Sequence, residues 1–420
     1  METEEIKKCR ICGSENLSLV IDLGEQPLST LVVTEENKDR IPTNKVPLKV
    51  VRCSNTADGT SCGLVQLSHT YPSNDIYREY WYRSGVNQTM RDALQDISDS
   101  AVKFVPLDKG DVVIDIGCND GTLLNSYSDD STVKYGFDPT ENIRGDIENF
   151  KRVVGFFSAE KYFESEINNK AKIITSIAMF YDLDDPNKFV SDIKQVLHDD
   201  GVWVVQMADL PEMLEKAMFD QIIHEHLEYY HYAPFEYLLS LHNLKVVDVE
   251  KNNINGSSYR FYIKHADAVY SNADADKRID MMKQDEAKMM LDTDEPYKKF
   301  REASEKVRDD LIEFVSNAKK SGKKVYGYGA STKGNVILNY CGFGPKDIPA
   351  IADRNERKDG SLTIGTYIPI IMEEKVRELK PDYLLVLPYY FMDEMLVREK
   401  DFIGAGGKFV IPIPTVHVVP

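Results

Sequence analysis

From residue 111 onward the chain alternates between short apolar runs and longer stretches whose apolar side chains recur every three or four positions. A short apolar run bounded by turn residues reads as a strand buried on both faces. The wider spacing reads as a helix with one buried stripe. The pattern predicts strands at 111–117, 132–138, 152–157, 171–177 and 200–207 with helices between them, Gly201 marking the turn into the fifth. Strands that alternate with helices pair in parallel and are covered on both sides. Two further strands, at 244–250 and 259–264, flank NNINGSS and predict an antiparallel hairpin at the edge of that sheet.

Helical spacing then takes over from 266 to 320, with methionines as packing residues and Gly322 as the stop. A second α/β unit begins with a strand at Lys324, and its later strands are expected near 348–351, 382–387 and 407–412. Residues 1–75 read as short strands and turns, including a strand at 21–28 that leaves into a proline turn, and a connecting helix is expected from 85 to about 104. The fold class is therefore α/β, in three parts: 1–75, 76–265 and 266–420.

Charge narrows the partners. With 51 basic and 69 acidic residues the net charge is −18, a field that repels nucleic acid phosphates. Small substrates remain allowed, anionic ones included, because helix N-termini bind phosphate even in an acidic protein. No apolar run approaches the roughly 20 residues that span a bilayer, and METEEIKKCR lacks the apolar core of a signal peptide. A cytoplasmic protein with no membrane partner is expected, either a monomer or a weak oligomer.

Four of the six cysteines lie near the N-terminus. Cys9 and Cys12 form one knuckle; Cys53 and Cys62 form a second, stretched by eight intervening residues. Two pairs of thiolates on two turns are how a small lobe with little core holds a tetrahedral zinc, and four thiolates leave no open position for chemistry. A structural zinc site is expected.

The first glycine turn, VIDIGCNDGTLL, joins a buried strand to a helix and carries Asp115, Gly117, Asn119 and Gly121. A dinucleotide loop keeps three glycines so that its backbone can approach a pyrophosphate. Here Asn119 replaces the second, which suits a cofactor without phosphate, and S-adenosylmethionine fits. Asp138, ending the second strand about 20 residues on, can accept from both ribose hydroxyls. Ser84 or Asn87 opens a helix near the cofactor, and Ser176, late in the fourth strand, completes the cofactor candidates.

After the fifth strand comes FDQIIHEHL. In an extended segment His224 and His226 point to one side while Glu225 points elsewhere. The set reads as a metal site or as a general base with polar companions; imidazole titrates near 6.5 and removes moderately acidic protons. One of the tyrosines at 77–82 is expected to face this site. In the second glycine loop, YGYGASTKGN, Ser331, Thr332 and Lys333 supply donors where the first loop has acids, which favours an anion such as a diphosphate.

In order along the chain, CRICG, a later cysteine pair before GLVQL, VIDIGCNDGTLL, FDQIIHEHLEYY, NINGSSYRFYI, YGYGASTKGNVILNYCG, DRNERKDG and GTYIPI resemble the sugar C-methyltransferase family that acts on deoxysugar nucleotides. The resemblance covers nearly the whole chain. It implies a zinc-binding N-terminal lobe, a Rossmann-like class I methyltransferase domain that binds S-adenosylmethionine, and a smaller Rossmann-like domain that contributes to sugar-nucleotide binding. It further implies that His226 removes the proton beside the ketone of a 4-keto-6-deoxysugar, with His224 and Glu225 orienting it. Tyr80 or Tyr82 would stabilise the enolate, and methylation would fall at C-3. Asn255, Tyr328, Ser331, Lys333, Asn335 and Arg354 are the substrate-binding candidates. The rival readings are an O- or N-methyltransferase, a non-catalytic nucleotide-binding protein, and a nicotinamide oxidoreductase using the second loop.

Overall fold

The computed structural model describes residues 3–420 except 40, 42–43, 55–60, 72–76, 78–81, 129–130, 144–148, 166 and 168. Its central sheet has seven strands, ordered Leu244–Asn252, Ser258–His265, Leu197–Ala208, Ala171–Ile177, Val112–Ile116, Val133–Asp138 and Lys151–Val154. The last five pair in parallel and the first two form an antiparallel hairpin. Val113, Ile114, Ile173, Ile174, Val202 and Val204 are fully buried, as continuous apolar runs require of strands covered on both faces. Strand order reverses beside Val112–Ile116, so a crevice opens at the carboxyl ends there.

The fifth strand differs from expectation. It starts at Leu197 and runs through Asp199, Asp200 and Gly201 instead of beginning after them. Its partners jump from Ala171↔Leu197 to Ile173↔Val202, so those residues form a bulge. A Cβ on Gly201 would lie 2.9 Å from the Lys172 carbonyl oxygen, which is why the bulge takes glycine there.

The second sheet is ordered Ile370–Met372, Ile351–Asp353, Val325–Tyr328, Tyr383–Val386, Lys408–Ile411 and His417–Val419, the last antiparallel and the rest parallel. Its two edge strands were not expected, being only three residues long, and the second strand sits later than 348–351 because Pro349 supplies no amide to a ladder. The helices Ala273–Met289 and Glu295–Lys320 precede this sheet. In the second, Phe300, Ser304, Val307, Leu311, Val315 and Ala318 form the buried stripe. The methionines of the first helix divide: Met282 packs inward, while Met281 is exposed. No helix among the described residues is long and apolar enough to cross a membrane.

The N-terminal segment is more than a cover. Its strands Leu17–Gln26, Val46–Cys53 and Val65–Leu67 form a sheet completed by Glu228–Tyr229, just past the histidine segment. Val32–Val33 pairs with Leu362–Thr363 of the last third of the chain. Leu23, Leu48 and Leu67 share one core with Phe300, Leu311, Ile337 and Leu385, so the three parts interlock.

Candidate functional site

At the N-terminus, the Sγ atoms of Cys9, Cys12, Cys53 and Cys62 lie within 4.8 Å of one another. The pairs Cys9–Cys62 and Cys12–Cys53 are 3.5 Å apart. A tetrahedral zinc with bonds near 2.3 Å separates its sulfurs by about 3.8 Å, so the cluster fits that ion. The turn that aims the first pair is closed by Gly13 N–H donating to the Cys9 carbonyl at 3.0 Å. The long 53–62 insertion therefore does not keep Cys62 from the cluster.

The first glycine turn passes through positive φ at Gly117 (76°), Asn119 (51°) and Gly121 (81°). A Cβ at Gly121 would meet the Phe150 ring at 2.3 Å, so only glycine fits the start of the helix Thr122–Ser126. The Asn119 amide donates to Asp138 Oδ2 at 2.8 Å. Its side chain accepts from Ser84 N–H at 3.1 Å and donates to the Tyr82 carbonyl at 3.1 Å, tying the turn to the segment before it. Asn87 begins the helix Gln88–Phe104 by accepting from Thr89 N–H. Asp115 is buried, accepts from Thr175 Oγ1 at 2.6 Å, and burial raises its carboxyl to about 7.

Asp138 already has protein partners. Oδ1 accepts from Thr140 and from Arg152, 3.2 Å away, so what remains for a ribose is the second lone pair of Oδ2. Arg152 also donates to the Asn119 carbonyl at 2.7 Å, bracing the loop. Sequence reading passed over Arg152, whose only signal is a second cation after Lys151 at the start of a short strand. Ser176 does not line the crevice: it is fully buried and its Oγ accepts from the Trp203 indole at 3.1 Å. The remaining cradle of Gly117, Asn119, Gly121, Asp115 and Asp138 fits S-adenosylmethionine and offers no third glycine for a pyrophosphate.

The histidine segment is a turn between the 3₁₀ helix Phe219–Gln221 and the strand Glu228–Tyr229, not an extended stretch. The two imidazoles consequently part company. His224 packs edge-on against Tyr71, 4.8 Å between centroids, and burial lowers its pKa to about 4. His226 packs against Tyr181 at 4.5 Å and remains half-buried. Its Nδ1 is 2.8 Å from the Gln221 carbonyl, an acceptor, so Nδ1 carries the proton and Nε2 presents a lone pair. Burial, then the charge of Lys333, lowers its pKa to about 3. Glu225 is buried near Tyr181 and Asp182 and raises both. Tyr82 is 47% exposed as a whole, yet local burial and Asp120 raise its hydroxyl to about 12, and it stands near Tyr181 and Tyr390. Tyr80 lies outside the described residues. Among those residues, the histidine turn is not one of the places where metal-ligating atoms converge.

The second unit delivers a different set from the one its loop suggests. Tyr328 faces the far side of its sheet, donating to Glu399 Oε1 at 2.6 Å and accepting from Arg398 at 2.7 Å. Ser331 caps the helix Thr332–Cys341, accepting from Gly334 N–H at 3.0 Å. Asn335 is buried and donates to the Ser29 carbonyl at 2.7 Å, a link to the N-terminal lobe. Arg354 is exposed. The Ala330 amide is bound by Asp353 Oδ2 at 2.8 Å, repeating the Asn119–Asp138 contact and removing a donor that a diphosphate would need.

From that loop Lys333 reaches toward the histidine turn. Its Nζ lies 3.4 Å from the Asn255 carbonyl and 4.7 Å from the Tyr390 ring centre. Burial lowers it to about 8, against the pull of Asp220. Asp220 is fully buried and raised to about 6 by burial; its Oδ1 accepts from Tyr389 at 3.1 Å. Asn255, in the left-handed region at φ 55°, also accepts from Gln221 Nε2 at 3.3 Å. Asp220, Tyr389 and Tyr390 were missed by the sequence reading, although Asp220 stands four residues before His224.

Residues 253–414 match the family model of the C-methyltransferase C-terminal domain, residues 9–77 that of a zinc binding domain, and residues 82–249 that of a methyltransferase domain. The chain is 28% identical over 417 residues to the C-methyltransferase NovU of Streptomyces niveus, covering 99% of this chain and 97% of that protein. Among solved structures, magnesium protoporphyrin IX methyltransferase (ChlM) of Synechocystis PCC 6803, with bound SAH, aligns at 12% identity and TM-score 0.32 over 43% of this chain and 89% of that one. The PH0226 protein of Pyrococcus horikoshii OT3 aligns at 19% identity and TM-score 0.34 over 44% of this chain and 94% of that one. With three matched modules in one chain and a relative matched end to end, this chain is an S-adenosylmethionine-dependent methyltransferase with a zinc-binding N-terminal domain, similar along its length to a C-methyltransferase.

Proposed function

We propose that the acceptor is a nucleotide-linked 4-keto-6-deoxysugar, methylated on the carbon beside its ketone, with C-3 the position favoured by the family resemblance. The observation that carries this reading is the tautomer of His226: Nδ1–H donates to the Gln221 carbonyl, leaving Nε2 free as a base. Burial keeps that imidazole neutral, so its lone pair is available at any physiological pH.

His226 Nε2 takes the proton from the acidic carbon. The C–H pair becomes the new C=C bond, and the ketone π pair moves to oxygen as an enolate. The enolate carbon forms the new C–C bond to the electrophilic methyl group that S-adenosylmethionine would supply when bound, the C–S pair leaving with sulfur, and the imidazolium then returns its proton to solvent. Tyr181 fixes the imidazole plane, Gln221 fixes its tautomer, and the Tyr82 hydroxyl, protonated at neutral pH as tyrosines are, can donate to substrate oxygen. The turn at 117–121 and Asp138 would hold the cofactor, while Asn255 and Lys333 would meet the sugar.

The test is a panel of 4-keto-6-deoxysugar nucleotides incubated with enzyme and S-adenosylmethionine, products read by mass and by NMR. A C-methylated sugar is expected, together with exchange of the adjacent proton with deuterated solvent that disappears in His226→Ala. An O- or N-methylated product formed without exchange would overturn the reading.

A further inference from the structure

The side chains that converge on His226 from the second α/β unit are too closely engaged for a phosphate-binding set. Lys333 lies between the Tyr390 ring and the Asn255 carbonyl, facing Asp220. A diphosphate placed there would bring its charge against a fully buried carboxylate. What such a cation can accept is a smaller charge that appears only during the reaction.

We propose that Lys333 is a catalytic residue, the cation that receives the enolate oxygen as His226 Nε2 removes the carbon-bound proton, and that Asp220 is its positioning residue. The assignment rests on the carbon-acid reading above and deepens it. Its physical basis is the arrangement of charge. Lys333 Nζ and Gln221 Nε2 meet the same Asn255 carbonyl, at 3.4 and 3.3 Å, and the Gln221 carbonyl holds His226 Nδ1 at 2.8 Å, so one residue links the cation to the imidazole, whose protonation the cation opposes. A base made weak by a neighbouring cation is a poor base until an anion forms between the two. When the proton moves, the imidazolium that forms is repelled by the ammonium, and the enolate oxygen formed in the same step offsets that repulsion by attracting both. Stabilisation of this kind is absent in the ground state and present in the transition state, which is the condition for acceleration.

Asp220 suits the positioning role. Tyr389 holds Oδ1, while Oδ2 is buried and makes no hydrogen bond among the described residues. Its charge favours the protonated amine that burial alone would discharge. Being on the 3₁₀ helix that ends at Gln221, it also shares a short segment with the carbonyl that sets the tautomer of His226. Base and electrophile are thus adjusted by neighbouring residues.

The experiment separates deprotonation from methyl transfer. Wild type, Lys333→Met and Asp220→Asn are incubated with S-adenosylhomocysteine and a 4-keto-6-deoxysugar nucleotide in deuterated buffer, and exchange at the carbon beside the ketone is followed by NMR. Calorimetric binding of S-adenosylhomocysteine and the thermal midpoint report whether each variant is folded. In Lys333→Met we expect exchange and kcat to fall together by about 10²–10³-fold, the loss typical of one oxyanion donor, with KM changed far less. Lys333→Ala should recover part of its rate with added ethylamine. Asp220→Asn should lower kcat by a smaller factor. Wild-type exchange rates in a folded Lys333→Met, or a loss confined to KM, would overturn the assignment while leaving the carbon-acid reading intact. Absence of exchange in the wild type would overturn both.

Discussion

Replacing Asn335 by alanine should unfold the enzyme sooner without weakening its grip on substrate. The residue sits in the loop-and-helix motif that sequence reading assigns to substrate, yet its amide is buried and donates to the Ser29 carbonyl at 2.7 Å. Ser29 is itself buried, so truncation leaves an acceptor with no water to turn to. An orphaned buried group of this kind costs about 1–3 kcal/mol. For a unit of 150–250 residues, about 2–4 °C is lost per kcal/mol, giving a midpoint lowered by roughly 2–12 °C. Differential scanning fluorimetry at fixed protein and cofactor concentration reads that shift, and steady-state kinetics well below the new midpoint reads KM. The expected pair is a lowered midpoint with KM within about twofold of wild type. A wild-type midpoint with KM raised tenfold would refute the reasoning and return Asn335 to the substrate site.

Two further outcomes follow from the same contacts. The purified chain should hold one zinc, measured by plasma mass spectrometry; its removal by chelator should lower the thermal midpoint, since binding energy in a four-thiolate site is folding energy, and a midpoint indifferent to the metal would contradict a structural role. His224, lowered in the fold to about 4 by burial, binds fewer protons folded than unfolded between pH 6.5 and 4, so its contribution is full above 6.5 and drains away as pH falls through that window. His224→Leu should therefore flatten the acid side of the stability profile by up to about 1.4 kcal/mol per pH unit relative to wild type, whereas parallel urea-midpoint profiles would show that the imidazole is not held neutral.

What could be read from the sequence was whatever one segment decides alone. Val112–Ile116 is a strand because five consecutive apolar or buried positions leave it no exposed face, and the turn after it needs Gly121 because Phe150 occupies the space of a side chain. The zinc cluster was legible because thiol spacing within a knuckle is a local property, and an insertion between Cys53 and Cys62 need only be long enough to return. The direction of a side chain was not legible. Ser331, Asn335 and Tyr328 were placed at the substrate because they sit in a glycine-loop motif, but one caps its helix, one reaches the N-terminal lobe and one faces Glu399. The two histidines were assigned a common side on the assumption of extended backbone, and a turn at that point undoes it.

The same turn explains why three parts must interlock. Past His226 the chain joins the N-terminal sheet, with Leu67 N–H donating to the Leu227 carbonyl at 2.8 Å and Tyr229 paired with Val65. Before His226, Phe219 packs on Tyr340 of the second unit at 5.2 Å, and Gln221 is tied to Asn255 in the hairpin loop of the central sheet. A turn alone is among the least rigid ways to hold a side chain, since its backbone makes few hydrogen bonds of its own. Anchored on three sides, it becomes as fixed as the sheets it touches. The zinc lobe, though it offers no open ligand position, thereby bears on the imidazole through the strand that follows it. Each anchor comes from a distant part of the sequence, and that distance is what hid the arrangement from any reading of one motif at a time.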